Sequence, residues 1–256
     1  MLFDTHIHTR YSSDSNMAIE TAINRAAEMG LGITITEHMD FGYPKPQVFI
    51  FDEKQYFEEY TKYRSDKVLL GVEVGMRGDC VEDGRHLIQN NRFDYVIGSI
   101  HLVDNQDIYE ASFYQGRSKR EVYSHYFADM LDCLQKYDFI DSLGHIDYIA
   151  RYARYDDPEI YYSEFSDQID QILKVIVDKG KAIEINTRRL TSAAAVKVLQ
   201  PIYQRFYELG GRMVTIGSDA HTPTDIGGRL SAAQQLADAC QLRIVYFKDS
   251  KPEWGR

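Results

Sequence analysis

Six of the eight histidines in this 256-residue chain fall in five short motifs, three of which also contain an acidic residue. The motifs are Asp4-Thr5-His6-Ile7-His8, Glu37-His38, His101, His145 and Asp219-Ala220-His221. Most follow an apolar run typical of a β-strand, and Glu73 ends a similar run with a carboxylate. Imidazole and carboxylate together suit zinc, iron or manganese, whereas magnesium and calcium favour oxygen ligands alone. The pattern predicts a site for several metal ions and therefore a hydrolase.

The first motif places three polar side chains on one face of a strand. Asp4, His6 and His8 occupy alternate positions, and alternate side chains of a strand point to the same side. Two imidazoles this close can bind one cation, and we expect Asp4 to orient one of them as a hydrogen-bond acceptor. An exposed strand would also explain such a pair taken alone. The second motif of this kind, Asp219-Ala220-His221, favours the metal site.

Three further histidines follow apolar runs directly. Taken singly, His38, His101 and His145 each fit a hydrogen-bonded core histidine as well as a ligand. Several buried imidazoles together are costly unless a metal uses their lone pairs. Glu73 would likewise be an unpaired carboxylate without a cation, and its two oxygens can bridge two metals.

Other polar residues have more than one interpretation. Asp14 follows the first histidine pair in a loop and is either a turn residue or a ligand. Arg188 follows an apolar run and Arg154 lies in a predicted loop. Arginine binds phosphate through paired donors, so both are candidate substrate-binding residues. His86 and His125 lie in helical stretches among polar neighbours and are predicted to be surface residues.

The elements that must position these side chains alternate between strand and helix. The β-like runs are 2–3, 32–36, 68–72, 95–100, 139–143, 182–186, 213–217 and 243–246. The helical stretches are 17–29, 54–63, 120–137, 165–179, 193–209 and 230–239. Such alternation predicts a parallel sheet, and seven or eight units favour a single-domain barrel over residues 1–256. Its site is expected at the carboxyl ends of the strands, with the loop around 41–46 covering it.

The overall composition argues against several classes of function. The net charge is −10, from 39 acidic and 29 basic residues, which argues against nucleic acid as a partner. The three cysteines are widely spaced without a CxxC pair and are expected to be reduced, as in a cytoplasmic protein. The sequence contains neither an apolar run of membrane-spanning length nor the pattern of a signal peptide.

The order and spacing of the motifs from residue 4 to residue 228 resemble the PHP (polymerase and histidinol phosphatase) family. The residues that carry the resemblance are Asp4-x-His6-x-His8, Glu37-His38, Gly71-x-Glu73, Gly98-Ser99-Ile100-His101, Gly144-His145-Ile146-Asp147 and Ser218-Asp219-Ala220-His221. The segments 36–41, 94–101 and 184–187 are most similar to the histidinol-phosphate phosphatases within that family.

The resemblance implies a distorted (β/α)₇ TIM-like barrel that binds two to three divalent transition-metal ions, namely zinc, iron or manganese. It assigns His6, His8, Glu73 and Asp219 to the first ion, Glu73, His101 and His145 to the second, and Asp14, His38 and His221 to the third. The family often has histidine at the position of Asp14.

The resemblance also implies the reaction: a metal-bridging hydroxide attacks the phosphorus of L-histidinol phosphate, a step in histidine biosynthesis. Arg188 and Arg154 would hold the phosphate, tyrosines in the segment 148–155 would stack on the substrate ring, and Asp40 or Asp147 would pair with its ammonium group. The sequence assigns no general acid. The alternatives are a related phosphoesterase acting on another phosphorylated metabolite, a nucleotide or a phosphodiester, and an inert barrel that senses metal or ligand.

Overall fold

The computed structural model describes residues 1–254 and contains one curled parallel sheet surrounded by helices. The strands are β1 (Phe3–Ile7), β2 (Gly32–Met39), β3 (Val68–Gly75), β4 (Tyr95–Ser99), β5 (Leu102–Val103), β6 (Gln106–Asp107), β7 (Ser142–Leu143), β8 (Ala182–Asn186), β9 (Met213–Gly217), β10 (Arg243–Ile244), β11 (Tyr246–Lys248) and β12 (Lys251–Glu253). The helices are α1 (Ile19–Glu28), α2 (Glu53–Tyr60), α3 (Val81–Asn90), α4 (Lys119–Lys136), α5 (Tyr148–Tyr152), α6 (Ser166–Asp178), α7 (Ala193–Glu208) and α8 (Leu230–Ala239).

The main sheet has eight parallel strands in the order β1-β2-β3-β4-β7-β8-β9-β10. It curls until its first strand meets the chain after β9 through a parallel bridge between Ile7 and Ala220. The backbone N–H of His8 donates to the carbonyl oxygen of Ala220 at 2.8 Å across this contact. The predicted barrel is therefore confirmed, with a distortion: β2 and β3 have eight residues each, whereas β7 and β10 have two each.

Burial of both faces explains the apolar composition of the strands. All residues of β2 and β3 are buried, as expected for parallel strands covered by helices on one side and by the barrel interior on the other. Leu70 is completely buried, and truncating such a side chain to alanine typically costs about 2–5 kcal/mol. The barrel is therefore a packed core and a rigid support for the strand ends.

Capping residues and glycines mark the ends of the helices near the positions that the sequence predicts. A capping box of Ser118 and Glu121 begins α4, because each side chain accepts a backbone N–H of the other residue. After α1, Gly30 adopts a φ of +69°, which ends that helix in the left-handed region that glycine tolerates best. The six predicted helices are all present, α3 contains His86 as expected for a helical stretch, and α5 is additional.

The end of the barrel opposite the strand carboxyl ends is closed by the hairpin of β11 and β12. Phe247 stacks on Tyr95 with ring centroids 5.4 Å apart, and Tyr246 stacks on Phe3 at 3.9 Å. Among the described residues, 1–254, no helix is both long and apolar enough to cross a membrane.

Candidate metal centre

Glu73 lies at the centre of a buried cluster of imidazoles at the carboxyl ends of the strands. Its Oε2 atom lies 3.3 Å from His6 Nε2 and 3.4 Å from His8 Nε2. Its Oε1 atom lies 3.3 Å from His101 Nε2 and 2.9 Å from His145 Nε2. The two carboxylate oxygens thus face different pairs of histidines, which is the arrangement needed to bridge two cations.

The first group of donor atoms has the dimensions of a metal site. Asp219 completes it, with Oδ1 lying 3.5 Å from His8 Nε2 and 4.0 Å from His6 Nε2. A tetrahedral zinc ion with bonds of about 2.0–2.1 Å holds its ligand atoms roughly 3.3–3.4 Å apart. The backbone of Asp219 has a φ of +54°, a costly conformation for a non-glycine residue that is often found at functional sites. The structure thus brings together the four residues assigned to the first ion.

Several donor atoms in the cluster are buried without a hydrogen-bond partner. They are His6 Nε2, His8 Nε2, His38 Nδ1, Glu73 Oε2 and His145 Nδ1. Although His38 Nδ1 lies 2.9 Å from Glu73 Oε2, the two atoms are not aligned for a hydrogen bond. Unsatisfied buried polar atoms are expensive, and cations between them would use their lone pairs. The donor set therefore fits divalent metal ions.

A third, outer group lies nearer to solvent. Asp14 Oδ2 lies 3.0 Å from His221 Nε2 and 3.6 Å from His38 Nε2. The Asp14 side chain is 40% exposed, whereas that of Glu73 is completely buried. The structure therefore joins all nine predicted ligand residues in one cluster with a buried inner part and an accessible outer part.

The cluster is electrostatically tuned to hold positive charge. Burial opposes ionisation of Glu73, but the fields of His6, His101 and His38 outweigh it and hold the pKa of Glu73 well below its usual range. Burial, aided by the neighbouring imidazoles of His38 and His221, lowers the pKa of His8 well below its ordinary value. Glu73 is therefore a carboxylate and His8 a neutral imidazole with a free lone pair, as metal binding requires.

Two carboxylates orient the imidazoles, a role that the sequence did not indicate for either of them. His6 Nδ1 lies 2.7 Å from Glu184 Oε1, and Gly217 makes room for this pair, because a Cβ there would collide with both side chains. Asp40 Oδ2 lies 2.7 Å from His101 Nδ1. Partners of this kind fix the ring and the tautomer and strengthen the ligand.

The expected role of Asp4 is wrong. Its carboxylate accepts the backbone N–H groups of Ser218 and Gly227, both at 2.8 Å, and so ties β1 to the segment after β9. The partner of His8 is instead Ser12, whose Oγ lies 3.0 Å from His8 Nδ1 and donates to Glu37 at 2.6 Å. Asp4 was expected to orient an imidazole because it is close to His6 and His8 in the chain. The residues that contact these imidazoles instead come from a loop and from other strands.

A cavity of about 310 Å³ opens over the cluster. Arg188 lines it, and its guanidinium bonds the carbonyl oxygen of Asp219 through Nη2 at 2.6 Å. Arg151 also lines it and bonds Asp219 Oδ2 at 2.7 Å, while its buried Nε atom has no partner. The placement expected for Arg154 is wrong, because this side chain is exposed after α5 and does not line the cavity. Arg151, three residues earlier in the chain, occupies the expected place.

An adjoining cavity of about 360 Å³ has aromatic and acidic walls. Tyr148 and Tyr152 line it, as predicted for this segment, and the loop after β2 contributes Tyr43, which donates to Asp107 at 2.5 Å. The loop around 41–46 therefore covers one side of the site as expected. Asp14 and Glu110 add two further carboxylates to the wall, and Lys45 adds a positive charge.

The two acidic residues expected to face the substrate ammonium are engaged elsewhere. Asp40 is buried against His101, and Asp147 is buried and pairs with Arg189 at 3.0 Å. This prediction is wrong because both carboxylates serve as internal hydrogen-bond acceptors. His86 is exposed, and His125 is only partly buried, beside Asp129 at 3.7 Å, so neither belongs to the cluster.

A curled parallel barrel with imidazole and carboxylate donors at the carboxyl ends of its strands defines a metal-binding α/β-barrel enzyme. Residues 4–188 match the PHP domain, and the chain belongs to the PHP family.

Relatives of this chain include a histidinol-phosphatase and a probable histidinol-phosphatase. The chain is 52% identical over 248 residues to a probable histidinol-phosphatase of Clostridium acetobutylicum, with 97% of each protein covered. It is 31% identical over 225 residues to a histidinol-phosphatase of Lactococcus lactis, with 85% of this chain and 83% of that protein covered. The crystal structure of histidinol phosphate phosphatase from Lactococcus lactis, complexed with zinc, L-histidinol and phosphate, superposes with a TM-score of 0.91 at 29% identity. The superposition covers 98% of both chains.

Proposed function

We propose that this protein is a metal-dependent phosphomonoesterase that hydrolyses L-histidinol phosphate to L-histidinol and phosphate, a step in histidine biosynthesis. The observation that carries the proposal is that imidazole and carboxylate side chains of the donor cluster line one cavity together with two arginines. Cations and guanidinium groups together make a site for a phosphate dianion. The similarity to histidinol-phosphatases over nearly the whole chain supports the same substrate.

We assign the donor atoms to two or three divalent ions of zinc, iron or manganese. His6, His8, Glu73 and Asp219 would hold the first, Glu73, His101 and His145 the second, and Asp14, His38 and His221 the third. When bound, such ions supply an activated water at neutral pH and neutralise charge on the phosphate oxygens.

The protein's own side chains prepare this chemistry. Glu184 and Asp40 hold the rings of His6 and His101, so the donor atoms need little rearrangement when cations bind. Arg151 and Arg188 then orient the phosphate, since a guanidinium presents paired donors that match its oxygens.

The adjoining cavity suits the remainder of L-histidinol phosphate. Its walls provide the carboxylate of Asp107 for an ammonium group and the rings of Tyr109 and Tyr152 for an imidazole, while Glu110 pairs with Lys45 at 3.5 Å. Binding energy gained there can align the phosphoryl group over the cations, which raises the rate for this substrate above that for a simple ester.

We further propose that residues 1–256 act as a single catalytic domain in the cytoplasm. The three cysteines are free and buried, as expected for a protein of a reducing compartment.

Phosphate release from L-histidinol phosphate before and after chelation tests the proposal. Chelator should abolish turnover, and added zinc or manganese should restore it. His101→Ala should lose activity, whereas His86→Ala and His125→Ala are matched controls outside the cluster and should retain it. Full activity after complete metal removal would contradict the mechanism. Metal binding without turnover of any phosphate ester would favour the inert-sensor alternative.

A further inference from the structure

Asn186 is the last residue of β8 and lies between the donor cluster and the two arginines of the cavity. We propose that it is a positioning residue whose single side-chain oxygen orients both Arg151 and Arg188 for phosphate. This inference rests on the proposed function, in which these arginines bind the phosphate. Asn186 is only 2% exposed, so substrate does not touch it and its action is indirect.

The side-chain oxygen of Asn186 accepts a hydrogen bond from each of the two arginines. It accepts from Arg151 Nη2 at 3.2 Å and from the backbone N–H of Arg188 at 3.1 Å. The second bond caps the short 3₁₀ turn Thr187–Arg189 and so sets the direction in which the Arg188 side chain leaves the strand. Arg188 then reaches the carbonyl oxygen of Asp219, while Arg151 binds the carboxylate of the same residue.

The nitrogen of the same amide is bound to the carboxylate that supports the metal centre. Asn186 Nδ2 donates to Glu184 Oε2 at 3.2 Å, and the same oxygen accepts the backbone N–H of His145 at 2.8 Å. A carboxylate only accepts, and the arginine groups only donate, so the amide fits in one orientation alone. Asn186 is therefore fixed by Glu184, which supports the metal ligands, and in turn restricts the positions of Arg151 and Arg188.

This arrangement affects ligand binding through pre-organisation. An arginine side chain loses considerable conformational freedom when it is fixed, and a fixed guanidinium avoids that cost at the moment of binding. Removal of the Asn186 oxygen should loosen the Arg151 guanidinium and the turn that carries Arg188, while both arginines keep their bonds to Asp219 and the metal donors remain in the chain. Phosphate affinity should fall by about tenfold, as expected for loss of hydrogen bonds to charged groups.

The test is calorimetric titration of inorganic phosphate into the zinc-loaded full-length protein. Asn186→Ala should bind phosphate about tenfold more weakly at unchanged zinc content, and KM should rise more than kcat falls. Asn186→Ser keeps an uncharged side-chain oxygen that can cap the turn and should bind at least about threefold more tightly than Asn186→Ala. Asn91→Ala, which removes a side-chain amide bond after α3, is the control and should match the parent.

A double-mutant cycle separates positioning from a general structural role. In a protein that lacks both guanidinium groups through Arg151→Ala and Arg188→Ala, the added Asn186→Ala should cost less than about twofold in phosphate affinity. A full tenfold loss in that background, or equal phosphate affinities of the Asn186→Ser and Asn186→Ala proteins, would overturn the proposal. Failure of the zinc-loaded parent to bind phosphate would overturn the role of the arginines and this inference with it. Failure of the Asn186 variants alone would leave the proposed function intact.

Discussion

Replacement of Glu73 by glutamine should remove ions from the centre while keeping the shape of the side chain. Both oxygens of Glu73 face imidazoles, at 2.9–3.4 Å, so the residue is the one donor common to the inner groups. Glutamine supplies one neutral oxygen in place of a shared carboxylate. Two unit charges about 4 Å apart attract by roughly 4 kcal/mol at an effective dielectric constant of 20, so loss of the carboxylate charge beside a divalent ion should weaken binding by at least about 1,000-fold.

Elemental analysis after dialysis against metal-free buffer measures this effect. The parent should retain two to three ions per chain and Glu73→Gln one or fewer, with phosphatase activity reduced by at least about 100-fold. Asp14→Asn is the comparison, because Asp14 contacts only His38 and His221 and is 40% exposed. It should lose no more than one ion. A Glu73→Gln protein with the parental metal content and activity within tenfold would refute the assignment of Glu73 as the bridge.

Further substitutions test the arginines and a buried carboxyl. Arg188→Ala should lower kcat/KM by an amount equivalent to about 1.5–3 kcal/mol through loss of a charge-assisted bond, whereas Arg154→Ala should leave it unchanged because that side chain is exposed. Steady-state kinetics at constant metal content measures both, and a larger loss for Arg154→Ala would contradict the site geometry. Burial raises the pKa of Asp141 from 3.8 to about 6, so the folded protein binds this proton more tightly than the unfolded chain. Stability from this group is therefore present at low pH and lost as pH rises from about 4 to 6, by up to about 3 kcal/mol. Asp141→Asn should make the free energy of unfolding less dependent on pH, as measured by urea unfolding of the chelated protein at pH 4.5–7.5. If the free energy of unfolding changes with pH equally in variant and parent, Asp141 is not the group responsible.

The fold and the clustering of the candidate ligands were predictable because both depend on local patterns. Most strands of the main sheet coincide with short apolar runs, and the carboxyl ends of parallel strands meet at one end of a barrel. Residues that directly follow such runs, such as His38 and His101, therefore meet even when they are far apart in the chain. The family resemblance added the grouping into three sites and raised Asp14 from a turn residue to a ligand, a role that stays a prediction.

The partners of those ligands were not predictable, because they depend on contacts between distant elements. Glu184 lies 178 residues from His6 in sequence, and nothing in its own strand indicates the contact. Asp4 was favoured by proximity, yet its carboxylate is used by backbone N–H groups. Arg151 lies in α5 and Arg154 follows its end, so the orientation of this short helix and of the chain that leaves it decides which arginine faces the cavity.

The ratio of kcat/KM for L-histidinol phosphate to that for a simple aryl phosphate tests the central claim most directly. The metal-loaded protein should prefer L-histidinol phosphate by at least about tenfold, because the adjoining cavity can use the amine and the ring to align the phosphoryl group. Equal efficiency on the two esters, or a preference for a nucleotide or a phosphodiester, would contradict the assignment of L-histidinol phosphate as the substrate.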